Sequence, residues 1–167
     1  MDLSKTFDMV EWGALFRDLK ERGISLIFLR LLMYTYKEQY CDVKWNSCHS
    51  FRFPISNGCY QGTISSPLFF NCYMNDLIIK LRKSRIGRTI GGRYFGIMVY
   101  CDDIFLLSSS RSGLQAMVTL CEKYAEAKNM KFSTNTDPEK SKTKCVIFTK
   151  SQKERKNVLP IILNNHM

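Results

Sequence analysis

Apolar positions recur along this chain with two different periods. Ile24, Ile27, Phe28, Leu31 and Leu32 repeat at helical spacing and predict a helix. Ahead of it, Asp8 and Glu11 stand as an N-terminal capping box, predicting a first helix that stops at Gly23. Alternation over Tyr40–Trp45 and Phe51–Ile55 predicts two strands joined by a polar turn. Residues 56–66 are rich in Gly, Ser and Asn and read as a loop. Ser66-Pro67 then opens a helix to about Arg85, with Pro at the first helical position. Two short apolar runs, Tyr94–Tyr100 and Ile104–Leu107, flank Cys101-Asp102-Asp103 in the pattern of a hairpin. Ser112 and Gln115 predict another capping box and a helix ending near Asn129. Val146–Phe148 and Val158–Leu163 read as strands on either side of a basic loop. Helices and hairpins mix without βαβ alternation, so the predicted fold class is α+β.

Composition narrows the function classes. The 167 residues fit one domain, and 45% hydrophobic content excludes wholesale disorder. Lys plus Arg number 25 against 15 acids, a net charge of +10 that favours a polyanionic partner. Six of the basic residues (Lys80, Arg82, Lys83, Arg85, Arg88 and Arg93) fall in one stretch without an acid, and seven more lie between Glu139 and Lys156 against two acids. Such runs suit backbone phosphates. Seven scattered cysteines, none in a CxxC pair, and two distant histidines argue against zinc and against a disulfide framework. These features predict an intracellular protein, in cytoplasm or nucleus, with no signal peptide and no membrane span.

Three local patterns carry chemistry. Asp102-Asp103 lies between apolar runs, where acids are costly unless paired or bound to a cation. A turn there would put both carboxylates within reach of one hard ion such as Mg²⁺, although Asp also tolerates turn dihedrals for its own reasons. Asp2 and Asp8 bracket Leu3-Ser4-Lys5-Thr6-Phe7; the cap accounts for Asp8 and leaves Asp2 unexplained, a terminal residue by default. Gly58-Cys59-Tyr60-Gln61-Gly62 precedes a helix start, allowing close backbone approach to a ligand, but lacks the Gly-Lys-Ser/Thr of a P-loop.

In this order, the patterns closely resemble the reverse transcriptase palm of non-LTR retrotransposons. Asp2 to Asp8 looks like that family's motif A, Gly58 to Asn71 with Tyr73-Met74-Asn75-Asp76-Leu77 like motif B, and Tyr100-Cys101-Asp102-Asp103 like the YxDD box. Lys140-Ser141-Lys142-Thr143-Lys144 before Cys145-Val146-Ile147-Phe148 resembles motif D. The resemblance implies a right-hand palm over residues 1–167, with about 24–60 forming the base of the fingers. It implies RNA-directed DNA synthesis on an RNA template and DNA primer from dNTPs. Asp2 and Asp102, assisted by Asp103, would be the catalytic ligands of two Mg²⁺ ions, with Mn²⁺ as a substitute. Phe7 matches a steric gate against the ribose 2′-OH. Gln61 and Gly62 match residues lining the incoming nucleotide, and Lys142, or Lys140 in the other register, the lysine near the triphosphate. The chain resembles a domain incomplete at both ends, lacking fingers and thumb segments and the strand before Asp2, which implies little or no activity alone. The alternative is a non-catalytic, basic nucleic-acid-binding remnant of a retroelement.

Overall fold

A computed structural model describes residues 1–4, 6–60, 62–135, 137, 140–149 and 159–164. It divides into two compact units, Phe7–Tyr73, and Met1–Thr6 with Met74–Met167. Its helices and small antiparallel sheets make the fold α+β.

In the unit of residues 7–73, α1 spans Trp12–Glu21 and α2 spans Leu26–Lys37. The first helix starts three residues later than the Asp8 box predicts, and its N-cap, Glu11, makes no side-chain cap bond. The cause is tertiary. The Cys59 amide donates to Phe7 O (2.7 Å) and the Gly58 amide to Val10 O (2.8 Å), so residues 7–10 are tied to a loop instead of coiling. Val10 is fully buried at that junction. Gly23, at φ 82°, ends α1 as predicted, and Ser25 caps α2 by accepting from the Phe28 amide. Trp12 and Phe16 set their rings edge-on against Tyr36, and Trp12 Nε1 donates to Gly58 O. The predicted strand pair becomes a ribbon of β1 (Tyr40–Cys41), β2 (Lys44–Trp45), β3 (Cys48–His49) and β4 (Phe53–Pro54). β1 pairs with β4 and β2 with β3; the return strand holds one extra residue between the pairs, a bulge. α3, Ser65–Ser84, gives its first turns to this unit and the remainder to the other. It begins before Pro67, which therefore sits third in the helix. Phe69, Phe70, Tyr73, Met74, Leu77 and Leu81 form its buried stripe.

The other unit continues with β5 (Thr89–Ile90), β6 (Arg93–Tyr94), β7 (Ile97–Tyr100), β8 (Asp103–Leu106) and α4 (Arg111–Ala127). β5 pairs with β6 around Gly91-Gly92, and β7 with β8 around Cys101-Asp102. Ser110, not Ser112, caps α4, accepting from the Gly113 amide at 3.1 Å. Glycine is needed there, because a Cβ at 113 would meet the Ser108 and Ser110 hydroxyls at 2.6 and 2.9 Å. α4 packs on β8, burying Met117, Val118, Cys121, Tyr124 and Ala125.

Among the described residues, Val146–Phe148 joins no ladder, and both Val146 and Phe148 are exposed. The other predicted strand survives over its described part, 159–163, only as a bridge position at Leu163. At Ile162 and Pro160 the backbone is bonded by α4 side chains: Gln115 donates to Ile162 O and accepts from the Ile162 amide, and Arg111 donates to Pro160 O. Val158 lies outside the described residues. No helix among the described residues is long and apolar enough to cross a membrane.

Burial pushes the Cys121 thiol up to about 12 and the Tyr73 hydroxyl up to about 12. Between the ordinary thiol range and these raised values, the unfolded chain releases protons that the fold retains, so stability falls as pH rises. The thermal midpoint will therefore drop steadily above about pH 8.5, as each such group removes up to ~1.4 kcal/mol of stability per pH unit. Cys121→Ala will be less stable at neutral pH but show a shallower alkaline slope. An unchanged slope in that variant would remove Cys121 as a source.

Candidate catalytic carboxylate site

The site is built by strand alternation. Met1 and Ile104 exchange two hydrogen bonds, the Met1 amino group donating to Ile104 O (2.7 Å) and the Ile104 amide to Met1 O (2.9 Å). The next pair, Asp2 and Asp103, is an antiparallel bridge. On its other side the first segment meets residues 131–133. Leu3 bridges Phe132, the Ser4 amide donates to Lys131 O and the Ser133 amide to Asp2 O, both at 2.8 Å. Residues 1–3 are thus an interior strand between β8 and 131–133. Asp2 is therefore not a loose terminal residue.

Successive strand residues face opposite sides. Leu3, Phe132 and Ile104 are buried, so they point to the core. Asp2 and Asp103 must then share the opposite face. They occupy a position without mutual backbone bonds, where facing Cβ atoms lie ~4.5–5.5 Å apart. Asp102 is the second residue of the two-residue β7–β8 turn, next to Cys101, whose φ is 51°. Lys142 brings its Nζ to 3.9 Å from Asp2 Oδ2; the lysine side chain is 73% exposed and the aspartate 15%. Lys140 pairs instead with Asp137 at 3.5 Å. The Asp2 amide donates to Thr143 Oγ1, which in turn donates to Ser133 O. The half-buried Met1 amino group is pushed down by burial and held up by Asp103 and Asp2, so both carboxylates act on one point.

Facing carboxylates repel. Among the described residues no three of His, Cys, Asp and Glu converge as a metal cage. The donor set nevertheless suits Mg²⁺, which is usually held by one or two carboxylates together with substrate phosphates and water, not by an all-protein cage.

The remaining predicted residues fall elsewhere. Phe7 is half-buried, its ring 5.1 Å from that of the fully buried Phe70. Gly62 is exposed at φ 89° with open space around it, and Gln61 lies outside the described residues. Gly58 is the tighter glycine: its φ is 97° and a Cβ would stand 3.1 Å from Phe7 O. Lys80, Arg82 and Lys83 lie on the C-terminal half of α3, Arg85 follows it, and Arg88 and Arg93 lie on the β5–β6 ribbon; all are exposed. Sequence reasoning missed Met98, Tyr100 and Phe105 as a group. Met98 pairs with Phe105 and Tyr100 with Asp103, and the three are 50%, 78% and 58% exposed on the carboxylate face. The period-two pattern through the hairpin carries that signal.

Three curated relatives match part of the chain. It is 29% identical over 122 residues to the "Retrovirus-related Pol polyprotein from type-1 retrotransposable element R2" of Nasonia vitripennis, covering 73% of this chain and 12% of that protein. It is 27% identical over 118 residues to the Pol polyprotein from type-2 retrotransposable element R2DM of Drosophila melanogaster, covering 71% and 11%. The Pol polyprotein from element R2 of Popillia japonica is 26% identical over 108 residues, covering 64% and 18%. This chain therefore spans less than a fifth of the length of each. The family described as reverse transcriptase (RNA-dependent DNA polymerase) matches residues 1–162. With nearly the whole chain inside that match, the protein belongs to the reverse transcriptase family, as a domain of the non-LTR retrotransposon kind.

Proposed function

We propose that this domain performs nucleotidyl transfer in RNA-directed DNA synthesis, with Asp2, Asp102 and Asp103 as the catalytic carboxylates. The observation that supports it best is the Asp2–Asp103 bridge, which unites two like charges from distant parts of the chain on one face of a sheet. The fold tolerates that repulsion where a cation is to be held. Asp2 and Asp102 would hold Mg²⁺ (or Mn²⁺), Asp102 reaching from the turn and Asp103 assisting from across the bridge. The chemistry supplied by a bound pair of ions is stabilisation of charge on the attacking 3′-oxygen and the leaving pyrophosphate. The chain supplies position. The Met1–Ile104 and Ser133–Asp2 bonds fix the backbone under Asp2, and β8 fixes Asp103. Lys142 places an ammonium beside Asp2, where it can offset the triphosphate's charge. Met98, Tyr100 and Phe105 offer an apolar floor next to the acids for the primer end. Gln61 and Gly62 line the nucleotide, the basic residues from Lys80 to Arg93 meet nucleic-acid phosphates, and residues 24–60 form the base of the fingers. The partners are RNA template, DNA primer and dNTPs, in a reducing intracellular compartment.

Metal binding and catalysis can be read separately. Mn²⁺ titration followed by electron paramagnetic resonance will show Asp2→Asn and Asp103→Asn each weakening the ion by tenfold or more, with the fold unchanged by circular dichroism. In primer extension on an RNA template with Mg²⁺, by a protein carrying this chain, Asp102→Asn or Asp103→Asn will lower the rate by at least ~100-fold, the several kcal/mol that charge stabilisation supplies. Extension that survives both substitutions would leave only nucleic-acid binding as the function.

Phe7 has two separable roles. Its contact with Phe70 makes it a packing residue, so Phe7→Val will lower the melting midpoint by a few degrees. As a steric gate, it will also set sugar choice. The ratio of ribonucleotide to deoxyribonucleotide incorporation will rise by at least tenfold in Phe7→Val and not in Phe70→Leu, which disturbs packing alone. An equal change in both variants would make Phe7 a packing residue only.

A further inference from the structure

The basic stretch from Lys80 to Arg93 does not form one feature. Lys80 lies over the Tyr124 ring, 5.3 Å from its centre, and is accounted for by that cation–π contact. Arg82 and Lys83 stand in the last turn of α3, where cations complement the helix dipole. Arg88 and Arg93 have no such explanation. They lie on the β5–β6 ribbon, and no acid pairs with either among the described residues.

Register places them together. Ile90 pairs with Arg93, and the Phe95 amide donates to Arg88 O at 2.8 Å, so Arg88 faces Phe95 one step further along. By alternation Arg88, Ile90, Arg93 and Phe95 share one face of the ribbon, and all four are exposed. The other face is braced. Tyr94 donates its hydroxyl to Ile86 O at 2.6 Å, and its ring fills the space where a Cβ on Gly96 would stand. Arg88 and Arg93 are diagonal neighbours, ~7–8 Å apart at that ribbon position. Two guanidiniums so placed, without an acid between them, repel until an anion joins them. The ribbon meets the β7–β8 hairpin at its open end, through the Arg88 amide on Leu107 O and the Leu107 amide on Gly96 O. The turn with Asp102 is at the other end, about 15–20 Å away at ~3.4 Å per residue.

We propose that this outer ribbon face is a binding surface for single-stranded nucleic acid outside the polymerising end. Arg88 and Arg93 hold successive phosphates, and Phe95 with Ile90 gives the bases a stacking platform. A single strand is the ligand favoured, because only unpaired bases present a face to an exposed aromatic ring between cations. The Tyr94 brace fixes the face in advance, which lowers the ordering cost of binding. The ribbon's role rests on the proposed nucleic-acid contact of the basic stretch and not on the carboxylates' chemistry.

Fluorescence anisotropy with a labelled single-stranded RNA, in EDTA and without dNTPs, tests the surface in the whole chain, so that failure of the carboxylate proposal cannot affect the result. The double variant Arg88→Ala with Arg93→Ala will bind more weakly, and its plot of log affinity against log salt will be shallower by about 1.4, or ~0.7 per lost phosphate contact. Phe95→Ala will weaken binding about tenfold at unchanged slope. The charge-keeping pair Arg88→Lys with Arg93→Lys will retain the slope, and thermal melts will show each variant folded. Wild-type affinity and slope in the double alanine variant would overturn the proposal. So would equal competition by a blunt duplex, which would make the site a duplex contact, or by polyglutamate, which would make it a site for an acidic protein.

Discussion

The structure of the larger unit depends on the pairing of residues 1–3 with β8 on one side and 131–133 on the other. Leu3 goes into the core against Phe132, and this alone decides that Asp2 goes out. Ile104 does the same for Asp103. A slip of one residue in either ladder would bury a carboxylate and expose a core side chain, so the core's demand for Leu3 and Ile104 also fixes the register of the site. Hydrophobic burial here serves as the positioning device for charge. Residues about one hundred positions apart in sequence become cross-strand neighbours because each is adjacent to a residue that the core requires.

Electrostatics then distinguishes the two ends of the β7–β8 hairpin. At the turn end, acids face one another with Lys142 as the nearby cation. That ammonium is largely exposed and only 3.9 Å from one oxygen, so water and salt weaken the pair, and it can yield to a better cation or turn toward a phosphate. At the open end the charges are positive and the neighbouring side chains apolar. In the proposed reading the two ends divide the work, arginines at the open end neutralising phosphate charge and carboxylates at the turn end holding the divalent ion.

Much of this was legible in the sequence, for identifiable reasons. The Tyr100–Asp103 hairpin and α3 follow from apolar periodicity that tertiary structure does not override; α2 also forms, but Ile27, Phe28 and Leu31 of its predicted stripe are exposed and Leu29 and Tyr36 are the residues it buries. The grouping of Asp2 with the YxDD acids came from motif order, since no local pattern could tie residue 2 to residue 103. Local cap signals misled at two helices. Asp8-Glu11 lost to the backbone bonds that tie residues 7–10 to Gly58 and Cys59, and Ser112 lost to Ser110, which is placed for the Gly113 amide. The predicted strand at 158–163 carries the right apolar pattern, but at Ile162 the Gln115 side-chain amide supplies the donor and acceptor that a neighbouring strand would have given. The exposed group of Met98, Tyr100 and Phe105 was hidden by reading the hairpin as two apolar runs instead of two faces.

The turn itself shows how the site is held. Joining β7 and β8 by only two residues requires an unusual backbone, and Cys101 supplies it at φ 51°, a region that side chains other than Gly, Asn and Asp rarely enter. Such a residue costs of order 1–3 kcal/mol and persists only where its surroundings determine it. Here those surroundings are the four β7–β8 pairs on one side of the turn and the Met1–Ile104 bonds beside it. A glycine at this position would remove the strain but would also loosen the turn, because it loses more backbone freedom on folding. A small side chain keeps Asp102 in a restricted conformation while the ladder absorbs the cost. The geometry of the acids thus rests on long-range pairing, and whatever weakens residues 1–3 against β8 loosens all three carboxylates together.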